Sequence, residues 1–210
     1  MGGLARVWHS PYAFMALLSL PAAVMAAALG GGGASAQRLL DPTGEFAARF
    51  LILALMVTPL GRLWPGARWV GWLLRRRRML GVAAFAYAAA HLALYVKDME
   101  TLRAIAAEFW VLGIWTGWAA LLLFLPLAAT SNDAAQAWLK RRWAQLHRLV
   151  YPAAILTLVH WIFVHNNLIA ALAHFAPLAL LEALRIAKTL KRPNANTARR
   201  SRGAVTERIS

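Results

Sequence analysis

Gln145-Leu146-His147-Arg148-Leu149-Val150-Tyr151-Pro152 opens an apolar run that continues to Val164 and carries a second histidine, His160. A run of this kind crosses a bilayer as one helix, because ~20 apolar residues cover the hydrocarbon core. It sets one histidine at the membrane mouth and another well inside. An ionisable side chain within a membrane is costly to bury, so its first reading is functional. Residues 79–96 form a second such run, with His91 at a comparable depth.

Of the 210 residues, 60% are apolar and ten are tryptophan, and the formal net charge is +15. A soluble domain of this length does not need so much apolar sequence. The positive charge falls in short clusters between apolar runs, as the loops of a membrane protein do, and not along one face as a nucleic-acid footprint would. Membrane lipid, with no nucleic acid, is the expected surrounding. There is no cysteine. That excludes disulfides, iron–sulfur clusters, Cys-ligated zinc and covalent haem attachment through C-x-x-C-H.

Six apolar runs are predicted as spans: residues 11–29, 46–60, 79–96, 109–127, 146–164 and 168–184. The expected fold is an all-α membrane protein, a six-helix transmembrane bundle over residues 1–190 with a basic, disordered tail over 191–210. The first run is read as a retained helix. The competing reading is a secretory signal with its cleavage site at Ala34-Ser35-Ala36. Arg75-Arg76-Arg77-Arg78 reads as a loop cluster, residues 97–108 as a polar loop, and Thr130-Ser131-Asn132-Asp133 as the cap of a short helix. Gly113 and Gly117, four apart in the fourth run, are read for close packing only. Of the 23 Lys and Arg residues, 19 fall on the side that receives both termini and the loops before the third and fifth runs; Arg38, Arg49, Lys97 and Arg103 fall on the other. This asymmetry predicts that both termini are cytoplasmic.

With ~1.5 Å rise per residue, His91 lies roughly 18 Å in from Met79, and His160 about 20 Å deeper than His147. His91 and His160 then share a level, while His147 stands near the cytoplasmic surface. Two neutral imidazoles from two helices suit the axial positions of a haem iron. Without cysteine that haem is b-type. The plainer reading is that each histidine only hydrogen-bonds across a helix interface. Matched depth, with no carboxylate beside either in sequence, favours haem.

His147 reads either as a ligand of a second cofactor or as a solvated group beside Arg148. Thirteen residues land ~140° round an ideal helix, so a shared face with His160 needs a kink or unwinding near Pro152. His165 and His174 stand as substitutes for His91 or as groups facing a partner, and His9 as a polar N-terminal residue. Arg77 or Arg78 is a candidate to hold a haem propionate or a flavin phosphate. No nucleotide fingerprint, Ser/His/Asp set or H-E-x-x-H is present, so no independent reductase active site is expected. The rival reading is a membrane anchor or transporter component without a redox cofactor.

Several segments together resemble one family: Arg77-Arg78-Met79-Leu80-Gly81, residues 87–91, Leu125-Pro126-Leu127-Ala128 with Thr130-Ser131, and Leu146-His147-Arg148-Leu149-Val150-Tyr151 followed by His160. Over roughly residues 45–190 the chain resembles the haem-binding membrane subunits of the bacterial periplasmic methionine-sulfoxide reductase system, the MsrQ (YedZ) family. Its wider relatives are ferric-reductase-like and NADPH-oxidase-like membrane domains. The resemblance implies an inner-membrane electron-transfer subunit. It would pass electrons from the quinone pool or a flavin reductase, through haem b, to a periplasmic molybdopterin-containing partner that reduces methionine sulfoxide in oxidised envelope proteins. It also implies FMN as a cofactor, and carries His91, His147 and His160 as the family's histidines. Wider relatives stack two haems on two histidines from each of two helices. Here the inner position of the third run is Arg77 or Arg78. One complete bis-histidine haem is therefore expected on the outer side, with a flavin, a quinone or a differently ligated haem at the inner one.

Overall fold

The computed structural model describes residues 10–191. Arg6, His9 and the basic tail from Arg192 onward lie outside them. The described elements are α1 (Pro11–Gly30), α2 (Ala36–Leu63), α3 (Arg68–Met99), α4 (Leu102–Glu108), α5 (Leu112–Ala129), α6 (Asp133–Leu139), α7 (Arg141–Leu146), a 3-10 turn (His147–Leu149), α8 (Val150–His165) and α9 (Leu168–Leu190). Among the described residues there is no strand, and six helical stretches are long and apolar enough to cross a membrane, one of them running from Arg141 through the 3-10 turn to His165; the chain folds as an all-α membrane protein.

Local chemistry sets the ends. Ser10 caps α1 ahead of Pro11, whose missing N–H costs nothing in a first turn. Ser35 accepts from Arg38 N at 3.3 Å and Ala36 opens α2, so Ala34-Ser35-Ala36 is here a helix cap. Asn132 and Asn167 cap α6 and α9 in the same way.

Three helices are longer than expected, α9 among them, which runs to Leu190, six residues past position 184. α2 begins ten residues before position 46, and α3 begins at Arg68, eleven before Met79. Arg75-Arg76-Arg77-Arg78 is therefore part of α3 and not a loop. Arginine is a good helix former, and its stem can lie along apolar surface with its head at the interface. The expected polar loop after α3 contains α4. The short helix after Thr130 ends at Leu139, because Lys140 takes φ 49° and starts α7 on a new axis.

α2 is the central helix. It carries Leu51, Ile52, Leu55 and Val57, all at most 5% exposed, and packs on α3, α9, α8 and α1. Alanines make the tightest seams: Ala84, Ala153 and Ala171 are no more than 1% exposed. Small side chains let helix backbones approach where lipid gives no hydrophobic drive. The alternation of spans gives the bundle two ends. One gathers the arginine run, the Arg78–Asp133 ion pair and Lys188 on Leu63 O. The other holds Asp41, His165 and the α8–α9 turn.

Candidate functional site

The paired histidines come from helices far apart in sequence. His91 stands on α3 and His160 on α8, with ring centroids 6.0 Å apart and planes at 82°. His91 Nδ1 lies 3.0 Å from the Leu40 carbonyl of α2, and His160 Nδ1 lies 2.6 Å from the Gly113 carbonyl of α5. A ring nitrogen facing a carbonyl oxygen must carry the proton and donate it. Each neutral ring then keeps its lone pair on Nε2. Backbone carbonyls thus set the tautomer and orientation of both rings, as they do for metal-ligating histidines.

Both rings border one cavity of about 180 Å³ lined by α2, α3, α5 and α8. Its wall is mostly small or apolar, with Ala47, Ala88, Ala120, Leu121 and Phe124 among the lining. Two polar groups on the wall, Asp41 and Tyr95, were not read as site residues in the sequence. Asp41 lines the cavity and lies 3.8 Å from His165 Nδ1. Tyr95 also lines it, and its buried hydroxyl has no hydrogen-bond partner among the described residues. An orphaned hydroxyl beside a cavity suits a polar group of a bound molecule. Tyr87, His91 and Tyr95 do not share one face as their four-residue spacing suggests. Each step of four advances ~40°, so Tyr87 turns to α1 while His91 and Tyr95 meet the cavity.

His147 lies elsewhere, at the basic end. The helix unwinds into the 3-10 turn His147–Leu149 just before Pro152, where an interruption was expected. His147 Nε2 lies 3.1 Å from Thr130 Oγ1, and Trp143 stacks on the ring at 3.9 Å. Trp143 in turn donates to the Thr130 carbonyl at 2.9 Å.

Arg78 is committed to Asp133 at 2.5 Å and Gln136 at 3.0 Å, and Arg77 Nε donates to the Ala54 carbonyl at 3.2 Å. The buried member of the run is Arg76, which sequence alone did not single out. Its guanidinium lies 3.9 Å over Trp72 and 5.5 Å over Phe14. His174 donates within its own helix to Ala170 and packs against Trp161; neither it nor His165 takes the place of His91 beside His160. Among the described residues no three His, Cys, Asp or Glu side chains gather to hold a bare metal ion.

The family model described as "Ferric reductase like transmembrane component" matches residues 43–158. Three similar proteins carry the name "Protein-methionine-sulfoxide reductase heme-binding subunit MsrQ". The one from Xanthomonas euvesicatoria pv. vesicatoria is 39% identical over 76% of this chain and 72% of its own. The one from Azospira oryzae is 39% identical over 74% and 67%, and the one from Rhodospirillum rubrum 38% identical over 71% and 72%. The chain belongs to the MsrQ family within the ferric-reductase-like transmembrane components. No solved structure matches it.

Proposed function

We propose that the chain is the haem-binding, electron-transfer membrane subunit of a protein-methionine-sulfoxide reductase. One haem b lies between His91 and His160. The observation that carries this is the pair itself. A haem would be held through the Nε2 atoms of His91 and His160, and the separation of the two rings is of the size that one imidazole-bound metal between them would need. The rings are 6.0 Å apart, with Nδ1 of each already on a carbonyl. Two imidazoles alone complete an iron only if a macrocycle fills its other positions, which suits a site with no third protein ligand.

Haem, when bound, supplies a one-electron carrier. The protein's part is to hold and insulate it. His91 and His160 offer Nε2, the Leu40 and Gly113 carbonyls aim the rings, and the alanine and leucine wall offers a mostly apolar surround. Tyr95 offers a hydroxyl to the rim. An apolar shell and two fixed imidazoles together limit the rearrangement that accompanies a change of charge.

The finer reading extends this along the chain. Electrons enter at the basic, cytoplasmic end from the quinone pool or a flavin reductase. They leave at the opposite end to a periplasmic molybdopterin-containing catalytic subunit that repairs oxidised envelope proteins in a heterodimer. The membrane is the bacterial inner membrane, residues 1–190 form the six-span domain, and 191–210 a cytoplasmic tail. FMN or a quinone belongs to the inner end beside His147. Arg77 or Arg78 is the run's contribution to an anionic group there, since the Arg78 pair with Asp133 is open to solvent.

The test is the visible spectrum of the protein purified in mild detergent, oxidised and dithionite-reduced, with pyridine-haemochrome and flavin quantitation. A b-type reduced spectrum is expected. A colourless protein after haem-supplemented expression overturns the reading in favour of an anchor or transporter component.

A further inference from the structure

The geometry points to Thr43-Gly44 on α2 and Thr116-Gly117 on α5 as two copies of one histidine-positioning seat. This rests on the reading that His91 and His160 are the haem ligands, and goes on to say what places them.

α2 reads Leu39-Leu40-Asp41-Pro42-Thr43-Gly44, and α5 reads Leu112-Gly113-Ile114-Trp115-Thr116-Gly117. Aligned on Thr-Gly, the two agree at three positions, the carbonyl, the threonine and the glycine; Thr43 Oγ1 in addition stands 3.4 Å from His91 Nδ1. The carbonyl that receives a histidine Nδ1–H stands four before the glycine in both, at Leu40 and at Gly113. The threonines are buried, 3% and 2% exposed. Thr43 Oγ1 lies 2.8 Å from both the Leu39 and Leu40 carbonyls, and Thr116 Oγ1 lies 2.7 Å from Leu112 O and 2.9 Å from Gly113 O. Each hydroxyl is thus shared between the carbonyl that the histidine uses and the carbonyl one residue before it.

The glycines receive the rings. Residues i and i+4 lie one above the other on a helix face, so carbonyl and glycine form one continuous berth. A Cβ at position 117 would stand 2.7 Å from His160 Nδ1, a contact that real Cβ atoms do not make. A Cβ at 44 would stand 3.2 Å from the His91 ring, tight but tolerable after a small shift. Each ring is thus pressed on bare backbone, its Nδ1–H on a carbonyl and its Nε2 left for iron. The threonine hydroxyl shares the carbonyl's electron density with the histidine. It thereby moderates how strongly that carbonyl raises the basicity of the ring.

The full chain is compared in detergent as wild type, Gly117→Ala, Gly44→Ala, Thr116→Val and Thr116→Ser, with Gly81→Ala as a control, since a Cβ at 81 meets nothing within 4 Å. The readouts are low-temperature EPR, haem content and midpoint potential. Gly117→Ala is expected to lose the six-coordinate low-spin signal. Gly44→Ala should keep haem with a shifted low-spin signal, and Gly81→Ala should match wild type. Thr116→Val frees the carbonyl for His160, so its potential should fall; Thr116→Ser should restore it. Gly117→Ala and Gly44→Ala spectra identical to wild type overturn the seat. So does an unchanged or raised potential in Thr116→Val, which stays decisive even if an alanine variant fails to fold. A wild type without haem, or one whose low-spin signal survives His160→Ala, overturns the ligand assignment instead, and the seat with it.

Discussion

Tyr87 closes the backbone ladder of α1 beside Pro21. The Ala22 N–H donates to the Tyr87 hydroxyl at 2.8 Å, and that hydroxyl donates to the Leu18 carbonyl at 2.9 Å. The tyrosine stands where the Ala22–Leu18 helical bond would be, one residue after a proline that lacks its own N–H. It ties the first helix to the bundle through groups that lipid cannot satisfy.

Tyr87→Phe should therefore loosen α1. Leaving one buried donor and one acceptor without partners costs about 1–3 kcal/mol. The expected result is a lower thermal midpoint in detergent and faster proteolysis at the glycine link after Gly30, measured side by side with wild type. Equal stability would mean that the helix re-forms its own bond.

His91→Ala and His160→Ala should each remove the low-spin haem signal, because either leaves the iron one axial ligand short. His174→Ala should leave it intact, since His174 bonds within α9. His147→Ala should also leave it, as His147 bonds Thr130 in another part of the bundle. Absorption and EPR of the four variants decide this. Two low-spin haems per chain, one of them lost with His147, would refute the flavin or quinone assignment of the inner end.

The arginines of α3 should differ in weight although they are neighbours. The Arg78–Asp133 pair is open to solvent, 40% and 91% exposed, so Asp133→Asn should cost no more than about 1 kcal/mol. Arg76 is 4% exposed and stacked on Trp72, where a desolvated cation–π contact contributes about 2 kcal/mol, so Arg76→Ala should be the more destabilising. Thermal unfolding at low and high salt separates the two, because only the exposed pair is screened.

The alanine seams should reject bulk. Ala153 on α8 and Ala171 on α9 are both 0% exposed, and forcing a leucine into a close-packed interior costs typically 1–3 kcal/mol. Ile155, two residues from Ala153 and 63% exposed, faces outward, and Ile155→Ala should change stability little. Expression level and melting temperature of Ala153→Leu against Ile155→Ala test this.

The membrane class, the six spans and the approach of His91 to His160 were legible in the sequence. Hydrocarbon imposes its demand on each helix separately. Every span must be long, apolar and internally hydrogen-bonded, so each announces itself without reference to the others. The matched depth of His91 and His160 followed from rise per residue alone. The ends of α2 and α3 were less legible, because polar residues at the membrane surface continue a helix as readily as they stop it. That is why Arg75-Arg76-Arg77-Arg78 looked like a loop.

What surrounds the histidines came only with the tertiary structure. Leu40 and Gly113 act through their carbonyls, which every residue carries, and Gly44 and Gly117 through a missing Cβ, which does not say which ring will fill the space. A G-x-x-x-G spacing reads as packing until His160 is seen lying on it. Arg76 differs from its three neighbours only in the direction α3 turns it. Apolar length is a property of one segment and can be read from the chain. Which backbone atom meets which ring depends on how helices from distant parts of the chain pack together, and only the folded bundle settles that.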